Sequence, residues 1–210
     1  MSDAPSLDPA TQVRDLAAKA AAAVDRLGDY TRVRHWEAAR AGGLTPLQHK
    51  LLLNLRYRGH VDAKPSALAS YYGVARPTIS EATRILLKKG LLGKRRSPDD
   101  GRASELFLTP AGEASLTTLP DPLAELRASL GQLPADGLAE VFASLYALID
   151  GLERGGQLHR QRNCHSCAHF RPRAGVPYCA LLERDLTPAR LRIDCPEHAR
   201  GEGGSDIAPP

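Results

Sequence analysis

Four cysteines are the residues of this 210-residue chain best suited to chemistry. They run Cys164-x2-Cys167-x11-Cys179-x15-Cys195, with Pro196 directly after the last. A pair separated by two residues can turn both thiolates onto one ion or one cluster, and two more distant cysteines complete four soft ligands. The first ten residues hold Asp3, Asp8, Pro5 and Pro9 but neither a basic start nor an apolar run, so no secretory signal is expected. The expected compartment is therefore the reducing cytoplasm, where thiols more often ligate metal than form structural disulfides. Closed zinc sites commonly draw their cysteines from two close pairs, and here only the first pair is close. Iron–sulfur clusters accept scattered third and fourth ligands, often with proline after the last cysteine. The expected cofactor is thus an iron–sulfur cluster, [4Fe-4S] or [2Fe-2S], held by Cys164, Cys167, Cys179 and Cys195. Zinc is the alternative, with His165, His169 and His198 as substitute ligands. A thiol oxidoreductase built on Cys164 and Cys167 lacks a surrounding βαβ pattern, and no Ser/His/Asp or paired-carboxylate arrangement stands elsewhere. No enzyme is expected.

The segment that must position these thiols is poor in core residues. From His159 to Ala199 the apolar candidates are Phe170, Val176, Tyr178, Leu181, Leu182, Leu186, Leu191 and Ile193. That is too little for an independent core, so a metal centre is expected to be needed for folding. The stretch from Arg160 to Arg200 carries eight arginines and no lysine. Such charge suits either an anionic cluster or phosphate.

The rest of the chain reads as an ordinary soluble domain. Hydrophobic residues make up 42% and charged residues 25%, away from the signature of disorder. No apolar run approaches the roughly 18 residues of a membrane span. The net charge is only +4, but seven basic residues and two acids lie between Arg84 and Arg102. The recurrence of Val13, Leu16, Ala20, Val24 and Leu27 predicts one long helix from Pro9 to Arg40. Thr45-Pro46-Leu47-Gln48 carries a hydroxyl cap, proline at the first helical position and a glutamine three residues on, which predicts a helix from Pro46 to about Tyr57. Pro65 opens a third helix that Gly73 closes, and a fourth begins near Pro77 with Ile79, Ala82, Thr83 and Leu86 inward. Short helix, tight turn, then a helix with a polar and basic outer face is a helix-turn-helix pattern. Leu91–Arg96 and Ser104–Leu108 flank the turn-rich Ser97–Arg102, a hairpin with a basic tip, or wing. Thr109-Pro110 opens another helix, and Pro120 and Pro122 interrupt the helical stretch between Thr117 and Gly131. Leu138, Val141, Phe142, Leu145, Leu148, Ile149 and Leu152 form an apolar stripe on a last long helix that needs a partner.

Lys89-Gly90-Leu91-Leu92, Asp100-Gly101-Arg102 and Leu108-Thr109-Pro110-Ala111-Gly112, in that order and spacing, resemble the winged-helix core of the multiple-antibiotic-resistance regulator (MarR) family. With the flanking helices the resemblance covers about residues 10 to 155. It implies a mainly α fold with a small β-wing (α+β), dimeric through its N- and C-terminal helices, to which this chain adds a small cysteine-rich C-terminal module. It further implies a homodimer bound to double-stranded DNA, usually as a repressor. Carried over by position, Arg76, Thr78, Ser80 and Arg84 would meet the major groove or its phosphates, and Arg102 would reach the minor groove. Asp100 would orient wing arginines. Lys88, Lys94, Arg95 and Arg96 would neutralise phosphates, giving affinity without sequence information. Ala75 stands where the family often has a capping serine.

The expected organisation is a dimerisation helix (1–44), a winged helix-turn-helix (45–112), C-terminal dimerisation helices (113–158), a four-cysteine module (159–200) and a disordered tail (201–210). The expected function is a cytoplasmic transcriptional regulator of a pseudo-palindromic operator, modulated by a cluster that senses redox state, oxygen or iron. The alternative is a regulator that answers a small aromatic ligand and uses the four cysteines for structural zinc. No membrane is an expected partner.

Overall fold

The computed structural model describes residues 4–58, 63–96, 104–159, 161–173 and 176–199. The expected tail at 201–210 lies outside the described residues.

The first expected helix is two. Helix α1 (Pro9–Arg14) ends and α2 (Leu16–Ala41) begins at Asp15, whose backbone is extended at φ −125° and ψ 109°. The Asp15 carboxylate accepts the Ala17 N–H at 2.8 Å and the Ala18 N–H at 3.3 Å. A short acid that satisfies these free amides ends one helix and caps the next, which the apolar spacing could not register. Val13, Leu16, Val24 and Leu27 remain exposed on the single chain.

Helix α3 (Pro46–Arg58) starts with a reciprocal capping box: the Gln48 N–H donates to Thr45 Oγ1 at 3.3 Å, and the Thr45 N–H donates to Gln48 Oε1 at 3.0 Å. Helix α4 (Pro65–Tyr72) ends at Gly73, whose φ of +60° and ψ of 36° only glycine adopts without cost. Helix α5 (Arg76–Lys88) follows without a side-chain cap at Ala75 and buries Ile79, Ala82, Thr83 and Leu86. Strands β1 (Leu92–Arg96) and β2 (Ser104–Leu108) pair antiparallel, with Leu92 opposite Leu108 and Arg96 opposite Ser104. Leu51, Leu52, Leu68, Ile79, Leu86 and Leu106 close one apolar core beneath these elements.

Helix α6 (Pro110–Thr118) is tied to the hairpin by Thr109. Its hydroxyl accepts the Gly112 N–H at 3.1 Å and donates to the Gly90 carbonyl at 2.7 Å. A Cβ at Gly112 would stand 2.2 Å from the Leu91 carbonyl oxygen, so this approach demands glycine. After the prolines come α7 (Ala124–Leu130) and the long α8 (Ala135–Arg154). Val141, Leu145, Leu148 and Leu152 on α8 are exposed, while Tyr146, Asp150 and Glu153 are buried. Residues beyond α8 form a small three-stranded antiparallel sheet, β3 (Phe170–Arg173), β4 (Val176–Cys179) and β5 (Arg184–Asp185), and a short 3₁₀ turn at Pro188–Arg190. No described helix is long and apolar enough to cross a membrane.

Candidate functional site

Helix α5 turns one face to the core and the other to solvent. Arg76, Thr78, Ser80, Arg84 and Lys88 are all exposed. Arg84 is engaged within its own helix, its Nε and Nη2 donating to Glu81 at 2.8 and 2.6 Å, an arrangement that lowers the Glu81 carboxyl from its ordinary range. Because both groups are exposed, an anion such as a phosphate can draw Arg84 away at small cost. Lys94, Arg95 and Arg96 lie next in sequence on β1, also exposed. Arg95 is 3.5 Å from Glu105 and lies over the Phe107 ring, 6.0 Å from its centroid. Asp100 and Arg102 lie outside the described residues. The basic groups of α5 and β1 therefore project from one small folded unit, whose core fixes helix against hairpin.

The second site is the cysteine module. Cys164, Cys167, Cys179 and Cys195, distant in sequence, line one cleft of about 400 Å³ including its open mouth. Its walls are Phe170, Leu181, Leu182 and Leu186, with Arg190, Arg192 and Glu197 at the polar side. Of the apolar residues that looked like a meagre core, Phe170, Leu181, Leu182 and Leu186 line the cleft, and Leu186 is buried, whereas Val176, Leu181 and Ile193 are exposed. Two backbone bonds join the distant parts, the Cys164 N–H to the Arg192 carbonyl at 3.1 Å and the Cys195 N–H to the Arg162 carbonyl at 2.9 Å. Arg192 also reaches two sulfurs. Its backbone N–H donates to Cys164 Sγ at 3.3 Å and its Nη1 to Cys195 Sγ at 3.5 Å. Burial, and then the neighbouring sulfurs, push the Cys164 thiol above its ordinary value; burial does the same at Cys195. A bound metal would stabilise the thiolates and displace their protons to solvent, which burial alone opposes.

The donor set suits a soft metal group. Among the described residues, no three His, Cys, Asp or Glu side chains converge closely enough to hold a single ion. Of the histidines expected as substitute ligands, only His169 lines the cleft. The His165 ring faces Asp150, with Nδ1 3.2 Å from Oδ2, and stacks edge-on against Tyr146. His198 Nε2 is 3.0 Å from Ser166 Oγ.

Sequence reasoning missed the residues that dock this module. On α8, the Tyr146 hydroxyl accepts the His165 N–H at 3.3 Å. The Glu153 carboxylate accepts the Gln161 N–H at 3.0 Å and the Asn163 side-chain amide at 2.8 Å. Tyr146, Asp150 and Glu153 stand at i, i+4 and i+7, a polar stripe that would have been legible as a second helix face. Next to it the apolar stripe monopolised the reading.

Comparison with known proteins places the winged helix. Residues 44–104 match the model of the MarR family. A MarR transcriptional regulator from Methanosarcina mazei Go1 superposes with a TM-score of 0.53 at 20% identity, covering 62% of this chain and 94% of that one. The MarR family transcription regulator SP03579 gives 0.56 at 21% identity, covering 71% and 99%. The S. aureus MepR–DNA complex gives 0.54 at 18%, covering 61% and 93%. No curated protein matches the chain. By its winged helix the chain is similar in fold to MarR transcriptional regulators, and the match to the MarR family model is confined to residues 44–104.

Proposed function

We propose that the chain is a homodimeric, DNA-binding transcriptional regulator, acting as a repressor on a pseudo-palindromic operator. The observation that carries this is the exposed polar and basic face of α5, with the basic strand β1 beside it on one rigid winged helix. Arg76, Thr78, Ser80 and Arg84 read the major groove and its phosphates, while Lys88, Lys94, Arg95 and Arg96 supply salt-dependent affinity. The exposed apolar residues of α2 and α8 support a second copy as the partner that covers them. Such a dimer sets two recognition helices about 34 to 36 Å apart, one turn of DNA.

In the same reading the four cysteines hold an iron–sulfur cluster that reports redox state, oxygen or iron supply. The support is that all four soft donors line one largely apolar cleft. A bound cluster would supply one-electron chemistry and sensitivity to oxidants. The chain's own part is to supply the thiolates, exclude water through Phe170, Leu182 and Leu186, and hydrogen-bond two sulfurs through Arg192. The test is anaerobic purification with an absorption spectrum, assays of iron, sulfide and zinc, and selection of duplexes from random-sequence DNA. Visible absorption with stoichiometric iron and sulfide, and recovery of an inverted repeat, are expected. Stoichiometric zinc without absorption would replace the cluster with a structural zinc site, leaving a small aromatic ligand as the signal to seek. Failure to enrich any duplex would overturn the regulator.

A further inference from the structure

The cysteine module touches two separate parts of the molecule. Its 161–166 segment, which contains Cys164, is gripped by Tyr146, Asp150 and Glu153 of α8. Its other side meets the winged helix. The carboxylate of Asp194, one residue before Cys195, accepts a hydrogen bond from Arg58 Nε at the end of α3. The Arg58 side chain is only 9% exposed, and its guanidinium carbon lies 3.9 Å from the centroid of the Tyr71 ring in α4. Nearby, the His159 ring packs at the Gly73 turn, 3.2 Å from where a Cβ would stand. A wider cavity of about 870 Å³ including its open mouth, lined by Lys50, Tyr57, Tyr72 and Gln161 among others, opens beside the ion pair. The module therefore rests on the winged helix at few points rather than through a continuous core.

We infer that the Arg58–Asp194 pair is the latch that passes the state of the four-cysteine site to the recognition helix α5. This rests on the reading of the cysteines as a metal site. The segments 162–164 and 192–195 are joined by the two backbone bonds described above, and the first is fixed to α8. A change in thiol spacing is then taken up by the 192–195 segment, where Asp194 grips α3 and α4. The Tyr72 hydroxyl ties α4 to the Lys50 carbonyl of α3 at 2.8 Å, and Leu68 and Ala69 pack in one core with Ile79 and Leu86. Helix α5 comes directly after α4. An ion pair with one buried side is the right kind of link, since removing the exposed Asp194 strands the buried Arg58 charge out of water. Coupling of this kind needs two sites and a contact whose energy differs between states, and the latch is such a contact.

The test uses the full chain and reads amide hydrogen exchange over residues 65–88. Cys195→Ser perturbs the thiol site in five backgrounds: wild type, Asp194→Asn, Arg58→Asp, Asp194→Arg and the double reversal Arg58→Asp/Asp194→Arg. In the wild-type background the serine substitution raises exchange in α4 and α5 at least threefold. With Asp194→Asn the further change is below 1.5-fold, and the double reversal recovers at least half of the response that each single reversal loses. The recovery separates a latch from mere unfolding by a buried substitution. An equal response with and without Asp194, or none in wild type, overturns the latch. Metal assays on the same wild-type sample separate the two readings: absence of iron and zinc with an intact response overturns the metal reading while supporting the latch.

Discussion

The winged helix and the cysteine module are stabilised in opposite ways. Residues 44–119 close over a single apolar core in which Leu51, Leu52, Leu68, Ile79 and Leu86 are fully buried. The described residues between 159 and 199 bury few apolar side chains and hold instead to a network of hydrogen bonds, Glu153 to Asn163, Cys164 to Arg192 and Cys195 to Arg162. Burial is non-directional and grows with area, so the first unit tolerates variation in its contacts while keeping its fold. Hydrogen bonds give only about 0.5–1.5 kcal/mol net each, so they order the second unit less strongly than core burial orders the first, and on the proposed reading a metal supplies the further constraint. One region is therefore held by its own core and the other by directional contacts.

The difference can be broken most severely by metal removal. Anaerobic chelation should abolish exchange protection across 161–199 while the unfolding temperature of the winged helix stays within a few degrees; loss of both together would mean that the units share one cooperative core. Next in size, Leu86→Ala should cost about 2–5 kcal/mol of unfolding free energy, read by denaturant titration, with the metal content of the module unchanged. A smaller effect is expected from Glu153→Ala, which leaves the buried Asn163 amide unpaired at a cost of about 1–3 kcal/mol. Limited proteolysis should then cut the 155–163 segment faster, and a wild-type cleavage rate would remove Glu153 from the docking network.

The smallest effect sharpens the comparison on the side of the winged helix. Burial lowers the pKa of His49, which is 1% exposed, and of His35 in the same direction. The unfolded chain then binds more protons than the folded one as pH falls below about 6.5. Stability is fully present above that pH and declines toward the depressed folded values. His49→Gln should flatten the fall in melting temperature between pH 7 and pH 5. An unchanged slope would assign the acid sensitivity elsewhere.

How legible each region was depends on the same contrast. The capping box at Thr45 and Gln48, the glycine turn at Gly73, the buried face of α5 and the Thr109 cap are all local signals, written within about four residues, and the structure places each as the spacing predicts. Even the one misreading in this part, a single helix through Asp15, was a local competition between a carboxylate and the helix ladder. The cysteine spacing was local enough to single out the four residues that line the cleft. It carried nothing about what surrounds them.

The sequence by itself determined the helix-turn-helix, the paired strands, the basic face of α5 and the identity of the four soft donors, because periodicity, caps and ligand spacing act at short range. Only the tertiary structure decided that the four thiols line one apolar cleft, that His165 and His198 turn away from it, and that Tyr146, Asp150 and Glu153 hold the module to α8. It alone joined Arg58 to Asp194, 136 positions apart. Contacts across such distances depend on which faces of the chain are left over once the local elements have formed, and no spacing along the sequence records that.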